Sequence, residues 1–265
     1  MLENPLHSPI GVFDAGIGSY GMVQLIRQNY ARQDIIYFAD RASFPYGSKT
    51  KTELAASVSS AISRLADLGA TAVVLASNAP SVMVLSDIQD RQPVPVLGIY
   101  PPIAQALQLS ASGRVAMLGV ESLVRSPEIK AFVDREAGGR QVALVNASPL
   151  VQLVEEGLFL SAPGATLAAL RTFMARLQQD LPGLDVCTLS STHLPWLMTF
   201  FRQAAPGILF LDPAESLIPQ LRTHTTEGTG RTVCVATESA SMPLGGLQDM
   251  LHLLGVHLQP QRLPS

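Results

Sequence analysis

The sequence predicts two similar α/β domains, each with a parallel sheet, related by a pseudo-two-fold axis with an active-site cleft between them. Three observations carry this. Short apolar runs alternate with amphipathic segments at the spacing of βα units, which argues for parallel sheets covered by helices. The rhythm stops at Tyr100-Pro101-Pro102 and then restarts. A strand-plus-loop pattern, Val73-Val74-Leu75-Ala76-Ser77-Asn78-Ala79-Pro80-Ser81, also returns in the second half as Val186-Cys187-Thr188-Leu189-Ser190-Ser191-Thr192-His193-Leu194-Pro195. In open α/β sheets, ligands sit beyond the carboxyl ends of strands. Ser77 and Ser191 occupy matching places there.

The elements follow in order. Ile10 to Phe13 is a first strand, Asp14 to Ser19 a glycine-rich turn, and Met22 to Tyr30 a helix. The turn lacks the Lys-Ser/Thr ending of a P-loop and the spacing of GxGxxG, so it reads as a tight turn at a strand end. Ile35 to Asp40 is the second strand. Thr52 to Leu68 is an amphipathic helix, with Leu54, Val58, Ile62, Leu65 and Leu68 on one face and Gly69 at its end. Thr71 to Leu75 is the third strand, Ser81 to Gln89 a helix, and Val94 to Ile99 the fourth strand. The second half gives strands at Arg114 to Gly119, Gln141 to Val145, Val186 to Leu189 and Ile208 to Asp212. Its helices are one capped by Ser126 with Pro127 at the first position, one near Leu150 to Gly157, Ala165 to Asp180, and Pro195 to Gln203. Arg222 to Arg231 reads as an exposed loop, Val233 to Thr237 as a strand and Leu247 to Leu254 as a helix, followed by a polar tail.

Composition narrows the function classes. The chain has 265 residues, enough for a full core. With 47% hydrophobic and 15% charged residues it is not a disordered chain. No window reaches the roughly 18 uninterrupted apolar residues of a bilayer span, so no membrane partner is expected. Met1 to Ser8 shows no basic segment followed by an apolar run, which points to the cytoplasm. A net charge of −3 without a basic block gives no electrostatic footprint for nucleic acid, so no nucleic-acid partner is expected. The two cysteines, Cys187 and Cys234, lie inside apolar strand-like runs, without CxxC or Cys/His spacing. They read as buried thiols, and no metal site is expected.

Several of these residues carry a resemblance to the glutamate racemases of the aspartate/glutamate racemase superfamily, over nearly the whole chain. Ile10 to Gly18 resembles that family's opening strand and Asp-Ser-Gly-x-Gly turn. Tyr37-Phe38-Ala39-Asp40 followed by Phe44-Pro45-Tyr46-Gly47-Ser48-Lys49 is the most specific piece and is intact. Leu150 to Gly157 resembles the segment with an acidic active-site residue, which falls on Glu155. Thr192-His193 and Pro195 sit in the second loop as the family has them, and Leu211-Asp212 with Glu215 is similar to the point where the chain returns to its first domain. The resemblance implies residues 1–99 with 212–265 in one domain and 100–211 in the other. It also implies a cofactor-independent isomerase that uses no pyridoxal phosphate, a small carboxylate or amino-acid ligand, a homodimer as in many such racemases, and a place in peptidoglycan (cell-wall) chemistry.

Racemisation takes the α-proton from one face and returns one to the other, so the family places a cysteine in each loop. A thiol suits the work because its reference pKa of about 8.5 can be tuned towards neutral pH. Here the two positions fall on Ser77 and Ser191, and a serine hydroxyl is a far weaker acid. Cys187 cannot substitute, because four strand residues place it roughly 13 Å from Ser191. Other family hydroxyls fall on Ala15, Ala79, Val120 and Leu123. Loss of three hydrogen bonds to charged groups would remove roughly 5–9 kcal/mol of binding if additive. Laboratory removal of two thiols would have left those hydroxyls in place, so the serines read as natural.

The expected catalytic set is therefore Ser77, Ser191, Asp14, His193 and Glu155, with Glu155 separated from its neighbour Glu156 only by the resemblance. Pro45, Tyr46, Gly47, Asn78, Ala79 and Thr192 are the expected substrate-binding positions. A racemase fold with lost or altered activity, binding a small carboxylate, is the first functional expectation. An active isomerase or lyase, or a weak racemase, using His193 with Asp14 or Glu155 is the second. A Ser/His/acid set would additionally need Ser191 and His193 on one face of their loop.

Overall fold

Residues 5–264 are described by a computed structural model, so part of the Met1–Ser8 segment lies outside the described residues. The chain divides into two compact units, one made of residues up to Ile99 and from Ala214 onward, the other of Tyr100–Pro213. As the sequence predicts, each unit is an α/β layer structure around a parallel sheet.

In the first unit, β1 (Ile10–Asp14), α1 (Tyr20–Asn29), β2 (Ile35–Asp40), α2 (Lys51–Asp67), β3 (Ala72–Leu75), α3 (Asn78–Met83), α4 (Leu85–Ile88) and β4 (Val96–Gly98) follow one another. Every residue of β1, β2 and β3 is buried, as expected for strands covered on both faces. Helix α2 starts at a capping box: Thr50 Oγ1 accepts from the Glu53 amide while Glu53 reaches back to the Thr50 amide. Its apolar face lies so close to β1 that a Cβ on Gly11 would meet Leu65 at 3.0 Å.

The second unit contributes α5 (Ile103–Leu109), β5 (Val115–Gly119), α6 (Glu121–Val124), α7 (Pro127–Ala137), β6 (Val142–Asn146), α8 (Ser148–Glu155), α9 (Leu158–Ser161), α10 (Pro163–Asp180), β7 (Val186–Ser190), α11 (Met198–Ala204) and β8 (Leu209–Leu211). Ser126 caps α7 by accepting from the Ile129 amide, with Pro127 at the first helical position. The chain then adds α12 (Ile218–Leu221), β9 (Thr232–Thr237), α13 (Leu244–Leu253) and β10 (Gln261–Arg262) to the first unit.

The first sheet runs β10-β9-β2-β1-β3-β4 and the second β6-β5-β7-β8, every pair parallel. Within each unit the first four strands in chain order lie second-first-third-fourth. The sequence repeat is therefore also a repeat of topology, and Ser77 and Ser191 each follow the third strand. In this strand order the connections reverse direction between the first and third strands, the point where such sheets bind ligands.

Three local expectations change. The single helix over Ser81 to Gln89 is two short helices, interrupted at Val84, whose φ of −135° is outside the helical range; the β-branched Val82 and Val84 give little resistance to such a break. Pro195 to Gln203 is a 3-10 turn, Leu194–Leu197, before α11. The polar tail is not featureless: β10 adds to β9 in parallel, and Arg262 pairs with Glu238 at 3.0 Å. Among the described residues, no helix is long and apolar enough to cross a membrane.

Candidate active site

The loop after β3 is fixed by hydrogen bonds to the end of β4. Ser81 Oγ donates to the Ser77 carbonyl at 2.6 Å and accepts from the Ile99 amide at 3.0 Å. Gly98 makes room for that hydroxyl, since a Cβ there would lie 2.9 Å from Ser81 Oγ. Ser77 is half-buried ahead of α3, and its own side chain makes no capping bond. Asn78 is buried and donates through Nδ2 to the Ile99 carbonyl at 3.2 Å. A carbonyl only accepts, so this bond orients the amide, and Asn78 Oδ1 is left buried without a partner. Such an oxygen costs about 1–3 kcal/mol, which a ligand N–H would relieve. Ala79, beside it, is half-buried.

The loop after β7 brings three of the expected residues together. Ser191 caps no helix; its amide donates back to Leu189 O, and its carbonyl accepts from the Leu194 amide. This tight winding puts Ser191 and His193 on one side of the loop. Ser191 Oγ lies 3.5 Å from His193 Nδ1, and His193 Nε2 lies 2.6 Å from Glu155 Oε1. Ser191 is 7% exposed and His193 6%, while the Glu155 side chain is 13% exposed. Glu155 ends α8, where the helix dipole disfavours a carboxylate by about 0.3–1 kcal/mol; the imidazole offsets that. Its neighbour Glu156 is exposed and accepts from Gln152 instead, so the adjacent carboxylates separate cleanly. Phe159, four residues beyond Glu155, packs on Trp196, three beyond His193, at 6.0 Å between ring centroids. That contact ties α8 and α9 to the loop and holds the acid against the imidazole. Thr192 is half-buried between the two polar residues.

Asp14 ends β1 and is 5% exposed. The Phe44-Pro45-Tyr46-Gly47 loop has a cis Phe44–Pro45 peptide. Tyr46 is turned inward, its hydroxyl donating to Asp40 Oδ2 at 3.1 Å, while Pro45 and Gly47 are exposed. Burial, and then the charges of Asp40 and Asp14, push the Tyr46 hydroxyl well above its ordinary range, so it stays a donor. Asp40 Oδ1 accepts from Thr237 Oγ1 at 2.9 Å, and Thr237 Oγ1 accepts from the Ala42 amide at 3.0 Å. Asp40, Ser81 and Thr237 are thus the residues that the sequence reading did not single out. Asp40 closes the intact Tyr37-to-Asp40 segment and could have been found there; Thr237, 197 residues from its partner, could not.

Both thiols are buried inside strands. Burial, with a smaller contribution from Asp185, pushes Cys187 up to about 12, and burial alone takes Cys234 to about 12. Neither supplies thiolate near neutral pH. Among the described residues, no group of three or more His, Cys, Asp or Glu side chains is placed to hold a metal ion.

A repeated parallel α/β topology with a polar loop at matching strand ends defines a two-unit α/β protein with candidate ligand-binding loops. The Asp/Glu/hydantoin racemase family model matches residues 19–221, and the chain belongs to that family. It is 33% identical over 211 residues to a glutamate racemase of Roseiflexus sp., covering 79% of this chain and 76% of that one. It is 32% identical over 238 residues to a glutamate racemase of Thermus thermophilus, covering 87% of each. Among solved structures, the Thermus thermophilus glutamate racemase in complex with β-chloro-D-alanine superposes with a TM-score of 0.78 at 28% identity, over 97% of this chain and 96% of that one. Escherichia coli glutamate racemase, in complex with L-glutamate and its activator UDP-MurNAc-Ala, shares the fold with a TM-score of 0.81 at 24% identity, over 97% and 98%.

Proposed function

We propose that this chain is a glutamate racemase-like protein in which the two-thiol racemase reaction is lost or altered, and that it holds a small carboxylic acid, an amino acid among them, at its strand-end loops. The observation that carries this is the chemistry of the two loops. Serine stands at both positions that the resemblance assigns to thiols, and the chain's two cysteines sit elsewhere with pKa values of about 12. A hydroxyl cannot hold a useful fraction of its conjugate base near neutral pH without a strong partner. The orphaned Asn78 Oδ1 supports a ligand carrying an N–H donor, and the α-amino acid held by the Thermus thermophilus relative supports that class.

The test is solvent deuterium exchange at the α-carbon of D- and L-glutamate, with no pyridoxal phosphate present. No exchange above background is expected, together with a thermal shift by small amino or 2-substituted acids. Clear racemisation of glutamate by the purified protein would sink the proposal. The homodimer implied by the resemblance belongs to the same proposal and is read by sedimentation equilibrium.

One observation favours a second reading, an active isomerase or lyase or a weak racemase built on His193. Of the two carboxylates considered for it, Glu155 stands at 2.6 Å from the imidazole, the distance of a charge-assisted hydrogen bond. This reading expects turnover of some amino or 2-substituted acid that His193→Ala abolishes.

A further inference from the structure

The Ser191–His193–Glu155 row has a polarity that follows from its donors and acceptors. Glu155, as a carboxylate, only accepts, so the 2.6 Å contact requires the proton of the neutral imidazole to sit on Nε2. Nδ1 is then the lone-pair nitrogen, and it is the atom that faces Ser191 Oγ at 3.5 Å. The Ser191 hydroxyl therefore has a base aimed at its proton, and the base has a carboxylate fixing its tautomer. Nucleophile, base and orienting acid at hydrogen-bond distances are the features of an activated serine, and such contacts are often loose before a substrate arrives. The order on the ring is inverted relative to serine proteases, with Nδ1 towards the serine and Nε2 towards the acid. The proton-transfer logic is unchanged, because either nitrogen can act as the base once the other is held as N–H.

We propose that Ser191 is a nucleophile that accepts acyl groups from activated esters of small carboxylic acids. This rests on the reading that the loop after β7 meets a small carboxylic acid, and adds that the acid arrives as an ester. Ser191 Oγ attacks the ester carbonyl carbon, and its proton passes to His193 Nδ1. The bond from carbonyl carbon to leaving oxygen breaks, and that oxygen takes the proton from Nδ1. Water then attacks the acyl-serine, giving one proton to Nδ1; the acid departs and Ser191 Oγ recovers the proton. Glu155 is a positioning residue: it holds the tautomer and stabilises the imidazolium formed in each half. The low exposure of Ser191 and His193 restricts the acyl group to a small one.

The experiment uses the full chain with methanesulfonyl fluoride, a probe about the size of an acetyl group. Capture forms an Oγ–S bond and breaks the S–F bond, while the hydroxyl proton leaves through His193. Peptide mass spectrometry is expected to place the adduct on Ser191, with none there in Ser191→Ala, a change small enough to keep the fold. His193→Ala is expected to slow capture by about 100-fold or more, the lower end of what a general base contributes. Glu155→Gln, which keeps an accepting oxygen but not the charge, is expected to slow it partially, and Glu155→Asp to restore part of the loss seen in Glu155→Ala. Hydrolysis of p-nitrophenyl acetate should show the same ranking. Absence of an adduct on Ser191, or capture at an unchanged rate in His193→Ala, overturns the inference. Exchange at the α-carbon of glutamate tests the preceding proposal separately, so the two can fail independently.

Discussion

Replacing Ser191 with cysteine reads the electrostatics of the β7-end loop directly. The new sulfur would stand about where Ser191 Oγ stands, 3.5 Å from His193 Nδ1. Where the ring carries its second proton, the thiolate left by ionisation faces an imidazolium. At an effective dielectric constant of about 20, unit charges at that distance attract by about 5 kcal/mol. The Glu155 carboxylate, roughly 8 Å away across the ring, repels the thiolate by about 2 kcal/mol on the same basis. The net of about 3 kcal/mol corresponds to roughly 2 pKa units. Burial acts against it, as the neighbouring strand shows, where Cys187 is raised from 9.0 to about 12. While the ring keeps its proton, the introduced thiol should therefore titrate below Cys187 by up to about 2 units, as a coupled pair with the imidazole. The assay is thiolate absorbance near 240 nm against pH, taken as the difference between Ser191→Cys and the parent, with iodoacetamide alkylation as a second readout. Adding His193→Ala should raise the titration by about the same 2 units. A thiol that titrates with Cys187, or that ignores His193→Ala, refutes the coupling.

Two further outcomes follow from packing. Both native thiols keep their protons more tightly in the folded chain, at about 12 against 9.0. They leave stability unchanged below the unfolded value and reduce it as pH rises through that value towards the folded one. By about pH 10 each should have withdrawn roughly 1.4 kcal/mol, so the stability advantage of the parent over Cys234→Ala in urea should shrink by that amount between about pH 8 and pH 10. Gly98→Ala would place a Cβ 2.6 Å from Leu85 and 2.9 Å from Ser81 Oγ. It should cost about 1–3 kcal/mol by overpacking, read as a lower urea midpoint at an unchanged slope.

The strands were legible because strands covered on both faces leave almost no polar residues in their runs, as in Ala72 to Leu75 and Val115 to Gly119. The α7 cap was legible because Ser126-Pro127 is a local signal. β10 was not, since two polar residues become a strand only by meeting β9. The site divides along the same line. The positions of Ser77 and Ser191 came from strand ends, which sequence marks. The approach of Ser191 to His193 depends on the backbone bonds of a loop, and the choice of Glu155 over Glu156 on how α8 turns its last residues. Neither is periodic, so no pattern in the chain announces it.

The two loops share a topology but differ in chemistry. A racemase that moves a proton through both faces of its substrate needs acid/base groups of comparable strength on each side. The β7-end loop supplies a hydroxyl, an imidazole and a carboxylate in sequence. The β3-end loop supplies Ser77, whose side chain has no imidazole or carboxylate as a hydrogen-bond partner among the described residues, and a buried amide whose oxygen is unpaired. The first is equipped to move a proton and the second to receive a donor. Proton transfer concentrated on one loop suits reactions in which the same base removes and returns a proton, as acyl transfer does. Restoring both thiols with Ser77→Cys and Ser191→Cys would replace a base-poor hydroxyl at the first loop but would leave Ala15, Ala79 and Val120 without the hydroxyls that the resemblance assigns to substrate. The two serines and the missing hydroxyls are separate grounds for the proposed change of reaction, and the imidazole–carboxylate pair is the ground for seating the proposed acyl transfer at the β7-end loop.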